Sequence, residues 1–345
     1  MKDKSLKLSN ATFTQTNGRI KVDFDKQIPK TLYKYYSVTN YAIEGLKNKT
    51  LYFSHAHLLN DVMDGNFMLW DVKKFIANLI NERQGVDNEN DIYEEVRNFT
   101  KPFLKNKGVL SLSNTYKNEL IWVHYTNECG YCIELDTDRL LESVRKNRNE
   151  KDILFYPVSY DNLKQIDFAE YITTELIPKN EKFMSRKVDA NLPILYCFAQ
   201  KDKFWKYEKE WRLLINDKSF KSIEFPLTIM NDEEKKTENK NKSSGNVEIE
   251  KKAISKIILA PLFFNNERFN KASINGTTIT FNFKPNENGK MMKEFLQTLK
   301  SDFKDKICQI EKFIKDKRIV RDIKYKIQIV RINEQSVDII KSEIG

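Results

Sequence analysis

The chain has 345 residues, 40% hydrophobic, 31% charged and 12% aromatic, a composition that fits a soluble globular protein with a sizeable core in one large domain or two. No window approaches about eighteen uncharged apolar residues, which excludes a membrane-spanning helix, and the opening MKDKSLKLSNATF lacks the apolar centre of a signal peptide, so the expected location is cytoplasmic. The net charge of +10 invites a nucleic-acid partner, but the lysines mostly alternate with acids and the most basic stretch, KDKRIVRDIKYK, carries no repeated aromatic platform, so a solvated basic face is the simpler reading.

Residues 1–28 are polar and weakly patterned and read as an N-terminal extension. IPKTLYKYYS follows as a β-rich segment, with Pro29 where a strand tolerates it. VTNYAIEGLKNK reads as a short helix capped by Thr39 or Asn40, with Ala42, Ile43 and Leu46 turned inward. TLYFSHA is a second strand. The segment from Asn60 starts as a loop and becomes an amphipathic helix whose apolar face includes Phe67, Leu69, Trp70, Val72, Phe75, Ile76 and Leu79. VLSLSNT alternates as a strand does, ELIWVHYT reads as a helix or tight turn, and GYCIELD and DILFYPVSY read as strands. Residues 161–199 read as mostly helical. YEKEWRLLI, from Tyr207 to Ile215, reads as a strand. Residues 229–252 are polar and charged and read as an insertion or long loop. ISKIILAPLFF is a buried strand, helices are expected from about 288 to 316, and YKIQIVRIN closes the chain as a strand. Strands and helices mix without regular βαβ spacing. The expected fold is therefore α+β, with mixed or antiparallel sheets in one domain over 29–335.

Several chemistries are disfavoured by missing motifs. There is no G-x-G-x-x-G after a strand, no phosphate-binding G-x-x-x-x-G-K-[ST], no H-E-x-x-H and no G-x-S-x-G. The three histidines, His55, His57 and His124, are too few for a His/Cys metal centre, and no metal site is expected. Cys129 and Cys132 form a lone C-x-x-C, poor evidence for zinc. Cys132 opens a strand, so a buried free thiol is expected there.

The stretch YEKEWRLLI carries the sharpest signal. In a strand, residues i and i+2 face the same way, so Glu208 and Glu210 would lie side by side and each would raise the other's pKa. Either water screens them or a cationic or hydrogen-bonding group uses them. Glu210 is expected either as a catalytic carboxylate or as half of a structural ion pair with Arg212 or a distant lysine. Asn60, Asp61 and Asp64 are expected as helix caps or as ligand contacts. His124 is expected as a catalytic group or as a satisfied core histidine. Asp61, Asp64, Glu134, Asp136, Glu208 and Glu210 also form the acid set that a metal-dependent nuclease would need.

LYKYYS, TLYFSHAHLLNDVMDG, VLSLSNT, IWVHYTNECGYCIELD, YEKEWR and ISKIILAP occur in an order that resembles the bacterial family known as domain of unknown function 2971, over about residues 30–330. NDVMDG, WVHYT with GYCIELD, and YEKEWR are the most specific pieces. The chain departs from that family's usual pattern at Tyr36, where arginine is common, and at Val62, where proline is common. The family carries no assigned activity.

A more distant likeness concerns chemistry. A first strand, a short helix, a second strand ending in serine and a late E-x-E together look like the skeleton of the ADP-ribosyltransferases, a split pair of sheets holding NAD in the cleft between them. The likeness implies NAD as substrate, with Tyr33 and Tyr36 stacking on nicotinamide and Lys34 meeting the pyrophosphate. It places Ser54 or His55 on a ribose or phosphate oxygen, Glu210 beside the positive charge that develops on the ribose, and Glu208 as the proton acceptor. Tyr36 stands where that family carries a charged residue. The function implied is that of a toxin or antiphage effector that modifies a nucleic-acid or protein acceptor. Its alternatives are a catalytically inactive module that binds a nucleotide or phage component, and the nuclease.

Overall fold

A computed structural model describes residues 3–16, 18–55, 59, 61, 63–66, 69–71, 107–180, 183–217, 220 and 245–344. Asn60, most of the helix expected after it, and residues 229–244 of the expected insertion lie outside the described residues. In chain order the strands are β1 (Lys4–Lys7), β2 (Ala11–Thr16), β3 (Arg19–Phe24), β4 (Thr31–Tyr36), β5 (Thr50–Tyr52), β6 (Ser54–His55), β7 (Lys107–Ser113), β8 (Tyr131–Asp136), β9 (Ile153–Pro157), β10 (Thr173–Asn180) and β11 (Phe183–Asp189). They continue as β12 (Glu210–Asn216), β13 (Asn246–Glu248), β14 (Ile254–Leu259), β15 (Phe269–Asn275), β16 (Thr278–Phe283), β17 (Ile307–Lys315), β18 (Arg318–Ile332) and β19 (Ser336–Glu343). The helices are α1 (Asn40–Asn48), α2 (Glu119–Thr126), α3 (Thr137–Arg145), α4 (Phe168–Tyr171), α5 (Asn191–Phe198) and α6 (Glu287–Asp302). The class is α+β, and the main sheet is mixed: β14 and β17 run parallel while the other registered pairs are antiparallel.

The chain divides into two compact units, one of residues 1–28, 53–111 and 148–245, the other of 29–52, 112–147 and 246–345. In the first unit, the segment expected as an extension folds into the antiparallel sheet β1-β2-β3. Its inner face buries Leu6, Ala11 and Phe13. Phe13 meets Tyr156 edge-on at 5.8 Å, and Asn10 donates to the Val158 carbonyl at 2.7 Å. Only alternate residues face inward, so the other half of each strand is polar and the segment looks weakly patterned. The core continues through Trp70, Phe168 and α5, which is buried from Leu192 to Phe198. The Trp70 indole donates to the Pro193 carbonyl at 3.0 Å. Residues 161–199 are less helical than expected. They hold the short α4 and then the β10-β11 hairpin, in register from Thr173 opposite Asp189, before α5 begins. β12 pairs with β9, Trp211 opposite Pro157 and Ile215 opposite Ile153.

In the second unit the sheet order is β15-β16-β19-β18-β17-β14-β8-β4, with Tyr33 of β4 opposite Ser113 at the end of β7. One face is covered by α6, whose Phe295 packs at 4.7 Å from the Tyr131 ring and 5.7 Å from Phe263. α1 is capped by Thr39, whose hydroxyl accepts from the Ala42 N–H, and buries Ile43 and Leu46. α2 is capped by Asn118 and ends on Asn127 in the left-handed region. Gly130, which opens GYCIELD, is required by close approach: a Cβ there would lie 2.2 Å from the Tyr36 carbonyl oxygen. The helical region expected at 288–316 ends at Asp302, and residues 307–315 form β17 instead.

Candidate functional site

The first unit holds a buried network of charges. β12 is buried from Glu210 to Ile215, and an arginine side chain inside such a strand must find acids. Arg212 is 0% exposed. Its Nε donates to Glu210 Oε1 at 2.7 Å and its Nη2 to Glu210 Oε2 at 3.2 Å. Nη2 also donates to Asp64 Oδ2 at 2.8 Å, Nη1 lies 2.7 Å from Asp64 Oδ1, and Nη1 donates to the Phe198 carbonyl at 2.7 Å. Lys201 completes the set. Its Nζ donates to Glu208 Oε2 at 2.8 Å and sits 2.9 Å from Glu210 Oε2 and 3.6 Å from Asp64 Oδ2. The Tyr160 hydroxyl accepts from the Glu210 N–H at 2.7 Å.

Local backbone geometry brings these groups together. Asp64 sits in a tight turn followed by Gly65 at φ +68, where the N–H bonds the Cys197 carbonyl at 3.0 Å. A Cβ on Gly65 would lie 2.4 Å from the Phe198 ring, so glycine is needed for both reasons. Glu208 ends a 3₁₀ turn, Lys203–Glu208, whose first free N–H is capped by Asp202. Lys209 then takes a left-handed φ of 46 and reverses the chain into β12. Glu208 and Glu210 are therefore not strand neighbours on one face, as YEKEWRLLI suggests. They converge from a turn and a strand on the Lys201 ammonium.

Three acids and two bases leave one negative charge in excess. Burial opposes ionisation of Glu210, yet Arg212 and Lys201 overcome it and hold its carboxyl well below the usual range. Burial pushes Asp64 up despite the same two cations, the opposite direction to Glu210. Burial alone would lower Lys201, but Glu210 and the other acids hold its pKa above the ordinary lysine value. In this geometry both Glu210 oxygens face cations and the residue is buried. The structural ion pair with Arg212, the bland alternative, is what forms.

The other expected residues divide between the units. Ser54 and His55 pair with Val109 and Gly108 on β7 in the first unit, His55 buried. Asp61 caps a turn, its Oδ1 accepting from the Met63 N–H at 3.0 Å. Tyr33, Lys34, Tyr36 and His124 belong to the second unit, so neither unit contains all three slots of the expected pocket. Tyr36 stacks on Tyr131 at 5.5 Å and 21°. Lys34 is half-buried on the strand face opposite Tyr33. His124 is exposed in the last turn of α2, which corrects the reading of a core histidine. The acids grouped for a nuclease are already engaged: Asp136 caps α3, Glu134 pairs with Lys256, and Asp64, Glu208 and Glu210 hold cations. Among the described residues no group of three or more His, Cys, Asp or Glu is placed to hold a metal ion.

The second unit carries a more open polar ladder. Tyr33 of β4, Glu134 of β8 and Lys256 of β14 lie directly across from one another. The Tyr33 hydroxyl donates to Glu134 Oε2 at 3.3 Å, and Lys256 Nζ donates to both Glu134 oxygens at 2.9 and 3.1 Å. Tyr116, half-buried, places its ring 5.2 Å from that of Tyr33 and donates its hydroxyl to Asp322. Lys117 donates to Asp322 at 2.5 Å and lies 5.5 Å from the Tyr116 ring. Burial pushes Tyr33 up to about 12, with the Glu134 charge adding to it, so its hydroxyl stays a donor. Tyr116, Lys117, Lys256 and Asp322 were not singled out from sequence. They sit on three segments, the stretch after β7, β14 and β18, that are far apart in the chain.

A family model described as "Protein of unknown function (DUF2971)" matches residues 121–213. That span is shorter than the likeness read over 30–330, and it includes Glu134, Lys201, Glu208, Glu210 and Arg212. No curated protein and no solved structure matches the chain, and none of these comparisons carries the ADP-ribosyltransferase likeness.

Proposed function

We propose that the chain is a nucleotide-binding module that does not use Glu210 in chemistry. The observation that carries this reading is a polar ladder in the second unit, in which Tyr33 and Lys256 hold the buried Glu134 while Tyr116, against the Tyr33 ring, and Lys117 hold Asp322. Tyr116 offers an aromatic surface to a base. Lys256 and Lys117, with side chains about half exposed (43% and 51%), supply mobile point charges for phosphate. Glu134, buried and already accepting from Lys256 and Tyr33, fixes both of those side chains in place. NAD and simpler adenine nucleotides share these groups and are the ligand class.

The transferase reading keeps one point in its favour, that Glu210 stays ionised throughout the physiological range. Reaching it would require Arg212 or Lys201 to let go, and each faces other buried acids. Calorimetry of the full chain with NAD and with AMP tests the proposal. Binding is expected to fall about 5- to 30-fold in Tyr116→Ala and in Lys256→Ala, since each removes one ligand contact worth roughly 1–2 kcal/mol. Neither variant should matter if binding lies elsewhere. Nicotinamide release or label transfer that vanishes in Glu210→Gln would replace this reading with the transferase.

A further inference from the structure

β17 and β18 form a two-stranded ribbon whose tip is the stretch IKDKRI, Ile314 to Ile319. Residues 312–326 hold seven bases, Lys312, Lys315, Lys317, Arg318, Arg321, Lys324 and Lys326, against two acids, Asp316 and Asp322. Lower on the ribbon most of the charges are answered: Lys312 pairs with Glu119, Arg321 with Glu128 at 2.6 Å, and Asp322 with Lys117. At the tip they are not. Lys315, Lys317 and Arg318 have no ion pair among the described residues.

Three features of the tip work against the folded chain. Lys315 and Arg318 stand directly opposite each other in the register, and like charges in that position repel. Ile314 and Ile319, the next pair, are 75% and 78% exposed. The two-residue turn puts Asp316 and Lys317 at φ 49 and 62, a left-handed conformation that glycine takes without strain and lysine does not. An anionic partner would remove the repulsion and cover the isoleucines. With no aromatic side chain in IKDKRI, stacking on single-stranded bases is not available. A two-stranded ribbon does fit the major groove of a duplex, about 12 Å wide. The apex acid Asp316 would be repelled by an anionic lipid surface, whereas in a groove it can accept from a base amino group.

We propose that this hairpin tip docks into a groove of double-stranded nucleic acid, with Lys315, Lys317 and Arg318 on phosphates and the Ile314–Ile319 pair against the groove wall. The site is separate from the nucleotide ladder and stands whether or not that reading does. The test is fluorescence anisotropy of the full chain with a labelled random-sequence duplex, in DNA and RNA forms, across a salt series. Three phosphate contacts predict a log–log salt slope of roughly −2.7 on B-DNA. Lys315→Ala/Lys317→Gly/Arg318→Ala should lose at least about tenfold in affinity at low salt and flatten the slope toward zero. Ile314→Ser/Ile319→Ser should weaken binding with the slope kept. Excess AMP should compete with neither form. No duplex binding at low salt, or binding that the triple variant leaves unchanged, overturns the proposal. So does tip-dependent binding that is tighter to phosphatidylserine vesicles than to duplex. Unchanged thermal melts of both variants show that the tip, and not the fold, was altered.

Discussion

Arg212 is the residue on which the first unit's buried charges depend. It satisfies Glu210 and Asp64 at once and donates to the Phe198 carbonyl, with none of its surface exposed. Removing it leaves Lys201 alone against three buried acids. Arg212→Met is expected to destabilise the chain by about 3–5 kcal/mol, read as a lower urea midpoint at unchanged slope. Arg212→Lys should recover little, because a single ammonium cannot reproduce the planar fork. The pH dependence follows from the same network. Glu210 has a depressed carboxyl, so its contribution is present above the unfolded value near 4.5 and is lost as pH falls. Asp64 is raised above its usual 3.8, so it acts in reverse and withdraws stability as pH rises through its folded value. In urea titrations between about pH 3 and 7, Glu210→Gln should flatten the rise in stability with pH and Asp64→Asn should steepen it. Matching curves for the two variants would mean that neither acid titrates as described.

At the scale of elements, what was legible followed from local chemistry. Thr39 and the apolar spacing of Ile43 and Leu46 give α1, and Asn118 starts α2. β17 was misread because Ile307, Ile310 and Ile314 fall at helical spacing. The same residues fit a strand once its base, from Ile307 to Ile310, is buried on both faces, which no periodicity distinguishes from a helix. Between 161 and 199 the acids and lysines suggested helix, but Thr173 and Thr174 are β-branched and Pro178 forbids a helix interior. For the candidate sites, the sequence exposed the doublet and its arginine because they are neighbours in YEKEWR. Lys201 and Asp64 reach it through a turn and a loop, and Lys256 and Tyr116 reach Tyr33 only through pairing of distant strands. Gly130 shows how such pairing is enforced. With the Tyr36 carbonyl 2.2 Å from any Cβ, Gly130→Ala should force β8 off β4 and destabilise the second unit by about 1–3 kcal/mol, measurable as a drop in melting temperature.

At the scale of the whole chain, the four thiols report on the two units separately. Cys197 lies in the first unit, inside α5, and Cys132 lies in the second, inside β8. Both are free, buried and pushed up in pKa by that burial, so neither reacts until its surroundings open. Cys129 is only half-buried and should be modified first by maleimide in the native chain. Each unit has its own buried apolar residues, around Phe13, Trp70 and Phe198 in one and around Tyr131, Phe263 and Phe295 in the other. A defect placed in one is therefore expected to open that one first. In Arg212→Met at low denaturant, modification of Cys197 should accelerate by about 10²–10³, the factor that corresponds to 3–4 kcal/mol of lost stability, while Cys132 changes far less. Peptide-level mass spectrometry after timed labelling separates the two sites. Equal acceleration at both would show that the buried charges of β12 stabilise the chain as one cooperative block, and that the division into two cores does not extend to its energetics.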